Sequence, residues 1–154
     1  MNHGQNNTKM ISMPVRCFYL TTVFFLTLSG FGQMPIFKRY YIADIPGLGW
    51  LAEFYVTHYI HYLGAILFLT LAAYLLIDYL ILGRKSRRMT ASGYVRFTLL
   101  AGIVASGIFL VIRNLSGSTL PANFIIFLDL CHLGLVMGFL FVSLYCLIYK
   151  KKWT

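Results

Sequence analysis

Acidic residues are almost missing from this sequence: Asp44, Glu53, Asp78 and Asp129 are the whole set in 154 residues, and charged residues of both signs make up only 11%. Soluble domains carry about a quarter charged residues, so an ordinary hydrated surface is excluded. Cysteine is also scarce. Cys17, Cys131 and Cys146 are odd in number, lie within apolar segments and form no C-x-x-C pair. They provide neither a disulfide framework nor a cysteine metal knot, and Cys131-His132 lacks the C-x-x-C-H that attaches a c-type haem. No internal repeat and no low-complexity run is apparent, and the chain leaves no room for a separate soluble domain.

What fills the sequence is apolar: 59% hydrophobic, 17% aromatic, with a mean hydropathy of +0.75. Such a composition points to an all-α integral membrane protein. The net charge of +9 would ordinarily suggest nucleic acid. Its placement argues against that partner, because the basic residues lie between or beyond apolar segments, where they orient helices in a lipid bilayer.

A polar tail, residues 1–14, precedes a membrane domain over 15–154. The apolar runs predict four transmembrane helices, about 17–34, 51–82, 95–112 and 122–149. The first follows Lys9 and Arg16 like a signal peptide, but it is of full span length with no A-x-A-like site after it. Pro35 ends it, and a loop with Lys38, Arg39, Tyr40, Tyr41 and Pro46 follows. Trp50 and the tyrosines read as interfacial anchors. The second run ends in the basic turn Gly83-Arg84-Lys85-Ser86-Arg87-Arg88. Arg96 and Arg113 bound the third, whose Gly102, Ser106 and Gly107 permit close approach of a helix or a flat cofactor. Ser116 to Pro121 lead into the fourth, closed by Lys150-Lys151-Lys152.

With both termini on one side, ten basic residues fall there (Lys9, Arg16, Arg84, Lys85, Arg87, Arg88, Arg96 and Lys150 to Lys152). Three fall on the other: Lys38, Arg39 and Arg113. The positive-inside rule predicts a four-helix bundle with both termini cytoplasmic. The membrane histidines then lie toward the outer half.

Those histidines are the chemistry in the chain. Thr57-His58-Tyr59-Ile60-His61-Tyr62-Leu63-Gly64 sets two imidazoles three residues apart, on one helical face. Asp129-Leu130-Cys131-His132-Leu133-Gly134 carries the third. Counted from Trp50 and Pro121 at about 1.5 Å per residue, His61 and His132 both lie roughly 16 Å deep. One layer outward, His58 matches Asp129. Each histidine alone is compatible with a ring satisfied by a neighbouring carbonyl or hydroxyl. Three ionisable rings at membrane depth mark a cofactor site, a proton path or an ion path. Two neutral imidazoles on opposed helices would hold a b-type haem, with His61 and His132 as ligands to its iron and His58 as the alternative to His61. Gly64, Gly134, Gly102 and Gly107 would leave clearance, and Arg113, Lys38 or Arg39 would meet propionates. Asp129 is expected to be protonated or paired, with His58 its depth-matched partner and Tyr55, Tyr59 or a backbone group the alternatives. In that role Asp129 and His58 would fix a tautomer or carry a proton.

From Arg16 to Trp153 the chain resembles the four-helix cytochrome b subunits of formate dehydrogenases and nickel-iron hydrogenases, a family similar to bacterial cytochrome b561. The resemblance rests on four spans, inside termini, His61-Tyr62-Leu63-Gly64-Ala65 in the second helix and His132 in the fourth. It implies a bacterial inner-membrane subunit, not itself catalytic, exchanging electrons between quinone or menaquinone and a partner carrying iron-sulfur clusters or several haems. Relatives of this kind often hold an inner haem through a first-helix R-x-x-H and a second fourth-helix histidine about fourteen residues after the first. Here Arg16-Cys17-Phe18-Tyr19 puts tyrosine at the former place, and Cys146 stands near the latter. One haem b is therefore expected.

Two other classes compete. One is a haem-free structural anchor, or a subunit that binds quinone through its histidines. The other is a small metal or proton transporter using His58, His61 and Met137. The transporter lacks a relay through the inner half, where Asp78 alone lies near a helix end.

Overall fold

The structure, a computed structural model, describes residues 13–34, 36, 44–83, 88–115, 117 and 120–151, without the side chains of 82 and 83. The tail over 1–12, Pro35, Lys38, Arg39, Tyr40, Tyr41, most of the basic turn (84–87), Ser116, Ser118 and the end of the chain from Lys152 lie outside the described residues. Among the described residues every regular element is helical. Four helices are long and apolar enough to cross a membrane.

Helix α1 spans Met13–Gly32. It starts four residues before the apolar run because Pro14 suits the first turn, where its missing N–H is no loss. Its 20 residues make about 30 Å, just the thickness of a bilayer core. A short 3₁₀ turn, Gly49–Ala52, precedes α2 (Phe54–Asp78). Glu53 between them is extended, at φ −81° and ψ 98°, so α2 begins three residues later than hydropathy alone predicts. The helix runs on into a wider π turn, Tyr79–Gly83. Helix α3, Ala91–Arg113, begins earlier than its apolar run, because the Thr90 hydroxyl caps it by accepting from the Gly93 N–H at 3.1 Å. That extension draws Arg96 into the helix, where it is buried. Helix α4 spans Ala122–Ile148. It ends in a Schellman-like turn, with Lys150 at φ 51° and the Lys151 N–H donating to the Cys146 carbonyl at 2.8 Å.

The chain divides into two compact units, Met1–Ile81 and Leu82–Thr154, each an antiparallel helical hairpin. In the first, α1 packs along α2. Tyr19 of α1 meets Phe68, Leu26 lies against Gly64 and Ser29 meets His61, an order that fixes the antiparallel sense. The hairpin closes tightly at its loop end. Leu51 and Thr57 are fully buried there, and a Cβ on Gly32 would sit 2.9 Å from Leu51 Cδ2 and 3.2 Å from Thr57 Cγ2. Only glycine lets the 3₁₀ turn fold onto the end of α1.

In the second unit α3 packs along α4, with Leu99 near Gly138, Leu135 against Gly102 and His132 against Gly107. Outside these seams the large apolar side chains are exposed, as lipid-facing residues are. Several serine and threonine hydroxyls inside the helices bond their own backbone. Thr22, Thr27 and Thr70 each donate to the carbonyl four residues earlier at 2.8 Å.

Candidate functional site

Within the first hairpin, Ser29 Oγ lies 3.1 Å from His61 Nδ1. The hydroxyl also sits 2.7 Å from the Phe25 carbonyl and 3.2 Å from that of Leu26. A hydroxyl has one proton, and these carbonyls can only accept, so they take it. The Ser29 oxygen therefore accepts from His61, which places the ring proton on Nδ1. Nε2 keeps its lone pair. The next residue, Gly30, makes room for the ring edge, since a Cβ there would stand 3.3 Å from His61 Cε1.

The second hairpin repeats this arrangement with different residues. Ser106 Oγ lies 2.8 Å from His132 Nδ1 and donates to the Gly102 and Ile103 carbonyls at 2.9 and 3.0 Å. Gly107 follows, its absent Cβ 3.5 Å from His132 Cε1. In both hairpins a Ser-Gly pair on the first helix seats a histidine of the second.

One turn nearer the connecting loop, each hairpin adds another polar contact, and here the two differ. His58 Nδ1 lies 3.0 Å from Gln33 Oε1, while Gln33 Nε2 donates to the Ser29 carbonyl at 3.4 Å. The carbonyl fixes the amide orientation, so Oε1 accepts from His58. That ring stacks on Phe54 at 5.3 Å and lies 4.3 Å from Tyr62. The equivalent layer of the second hairpin is an ion pair: Arg113 donates to both oxygens of Asp129 at 3.0 and 3.1 Å.

These contacts redirect several sequence expectations. Within its own hairpin Asp129 pairs with Arg113, because Arg113 at the end of α3 can reach back along the seam. His58 takes Gln33. Arg113, expected as a propionate cation, is committed to Asp129, and Lys38 and Arg39 lie outside the described residues. Gly64 receives Leu26, whose Cγ is 3.1 Å from a virtual Cβ, so its missing side chain lets α1 and α2 pack closely. Gly102 likewise receives Leu135, whereas Gly134 is exposed with nothing within 4 Å. Tyr19 packs on Phe68 at 6.0 Å and Cys146 is buried, so both places that the resemblance associates with an inner haem hold packing residues.

Sequence reasoning missed Ser29, Gly30 and Gln33 altogether and read Ser106 and Gly107 only as small. The signal was present as Ser29-Gly30 and Ser106-Gly107, Ser-Gly dipeptides well inside the apolar runs, each with a histidine in the helix that follows.

Comparison with protein-family models, with curated proteins and with solved structures finds no match to this chain.

Proposed function

We propose that the chain is a haem b-carrying membrane anchor, with one haem ligated by His61 and His132, that passes electrons between a redox partner and the quinone pool. The observation that carries this reading is the paired seating of two imidazoles, each with Nδ1 within hydrogen-bond reach of a buried serine hydroxyl whose own proton goes to a helix carbonyl, which we read as Nδ1–H with Nε2 unprotonated. That is the protonation state an imidazole needs to ligate iron, with the second nitrogen oriented by an acceptor. A haem brings four nitrogens of its own and asks the protein for two. Among the described residues no three His, Cys, Asp or Glu side chains group closely enough to hold a bare metal ion.

His61 rather than His58 is the ligand in this reading, because His61 and His132 occupy equivalent seats. The residue equivalent to His58 is Asp129, which pairs with Arg113. When bound, the haem supplies one-electron transfer. The protein's residues hold the two rings, exclude water with apolar helix faces and keep their polar atoms satisfied. The distribution of Lys and Arg supports both termini cytoplasmic and the rings toward the outer half, and a bacterial inner-membrane placement is what the cytochrome b resemblance implies. The electron partners in this proposal are quinone or menaquinone and a subunit bearing iron-sulfur clusters or several haems.

A dithionite-reduced minus oxidised spectrum of the purified protein tests the reading. Sharp b-type bands are expected. Their absence from protein expressed with ample haem would favour a haem-free anchor or quinone-binding subunit.

A further inference from the structure

We infer that Ser29 and Ser106 are positioning residues that hold His61 and His132 in the Nδ1–H tautomer and set the donor strength of each Nε2. Only the second half of this inference, the effect on bound iron, rests on the haem reading above.

Each serine stands at the centre of a short polar chain that runs carbonyl, hydroxyl, imidazole. In α1 the chain is Phe25 carbonyl, Ser29 Oγ at 2.7 Å, then His61 Nδ1 at 3.1 Å. In α3 it is Gly102 carbonyl, Ser106 Oγ at 2.9 Å, then His132 Nδ1 at 2.8 Å. Both hydroxyls are buried, Ser29 at 0% and Ser106 at 7% exposure, so water does not compete for them. Donation of the serine proton to a carbonyl polarises the hydroxyl oxygen and makes it a better acceptor. A stronger bond from Nδ1–H in turn raises the electron density on Nε2. A glycine follows each serine and lies beside the Cε1 edge of the ring, tightly at Gly30, where a Cβ would stand 3.3 Å away, and at an ordinary 3.5 Å at Gly107. The two seats share one order of parts, helix carbonyl, serine hydroxyl and imidazole, with a glycine next to the serine.

The test uses full-length protein in detergent, labelled with ¹⁵N-histidine, as wild type and as the Ser29→Ala, Ser106→Ala, Ser29→Thr and Ser106→Thr variants. In haem-free protein, His61 and His132 should each show a slowly exchanging Nδ1–H. The alanine variants should shift that signal and speed its exchange at the affected ring alone, and threonine should restore it. In haem-loaded protein the alanine variants should move the midpoint potential positive, because a weaker donor stabilises the oxidised iron less. Threonine should bring the potential back toward wild type, an effect that loss of packing alone would not give.

An Nε2–H tautomer in wild type would overturn the inference, and needs no variant to fold. So would Nδ1–H signals indifferent to the alanine substitutions, or a potential that fails to follow the hydroxyl. Serine-dependent Nδ1–H signals in a protein that takes up no haem would uphold the positioning role and defeat the haem reading separately.

Discussion

His58 and His61 both turn toward α1, but they meet different partners there: His61 faces the Ser29 hydroxyl at 3.1 Å and His58 the Gln33 amide oxygen at 3.0 Å. The two rings are one helical turn apart and linked through Gln33, whose amide also donates to the Ser29 carbonyl. A choice between them as ligand is therefore a choice between two layers of one network.

The first prediction separates those layers. His61→Ala and His132→Ala should each abolish the low-spin b-type spectrum, while His58→Ala should keep it and leave one haem per chain by pyridine haemochrome. Retention of a bis-histidine spectrum in His61→Ala, with its loss in His58→Ala, would move the ligand one turn outward.

A second prediction concerns the glycines, which differ in the space around them. Gly→Ala within a helix ordinarily gains roughly 0.5–1 kcal/mol. At Gly107 the new methyl would meet His132 Cε1 at an ordinary 3.5 Å, so stability should hold or rise by that amount. At Gly32 it would stand 2.9 Å from Leu51 Cδ2 and 3.2 Å from Thr57 Cγ2, both fully buried residues, and overpacking of this kind costs about 1–3 kcal/mol. Thermal unfolding in detergent should rank Gly107→Ala above Gly32→Ala, and the reverse order would contradict the packing described at the loop end of the first hairpin.

The four spans were legible in the sequence because hydropathy over about twenty residues leaves little alternative to a membrane helix. That His58 and His61 share a face follows from helical geometry alone. Helix ends were less legible. The start of α2 is set by an extended Glu53 and that of α3 by a hydroxyl cap at Thr90, neither of which hydropathy registers. The partners of the polar side chains were not legible. A serine in an apolar helix always has its own carbonyls to bond, so nothing in the string Leu28-Ser29-Gly30 announces that its second lone pair meets a histidine 32 residues later. Depth alone matches Asp129 with His58 and does not register that a long, flexible arginine at the end of the preceding helix lies close enough to pair with the carboxylate.

The third prediction addresses orientation. Leu115 and Lys151 are exposed, the former after α3 and the latter after α4. If both termini are cytoplasmic, a cysteine at Leu115 in intact cells should react with a membrane-impermeant maleimide, and one at Lys151 should react only after lysis. Wild-type protein provides the background of Cys17, Cys131 and Cys146. The opposite labelling pattern would invert the topology and put the histidines toward the inner half.

The last prediction concerns Asp129 and Arg113. Their side chains are 51% and 28% exposed within the protein, at a level of the helices that the hydropathy reading places toward the outer face. In water such a pair contributes about 0–1 kcal/mol. Near lipid the alternative to pairing is a carboxylate with few other partners, so removal of one member should cost more than removal of both. Asp129→Asn keeps the shape and removes the charge, and Arg113→Gln does the same on the other side. A double-mutant cycle on thermal unfolding should show each single change destabilising and the double change less so than their sum. Strict additivity would mean that the contact at 3.0 Å does not hold the hairpin together. The same variants test for a proton-carrying role. In the anchor proposed above, Asp129→Asn with full haem content should slow quinone-linked turnover only if the carboxylate exchanges protons with quinol. Unchanged turnover and pH profile, together with a positive coupling in the cycle, would leave Asp129 as the counter-charge that seats Arg113 at the end of α3.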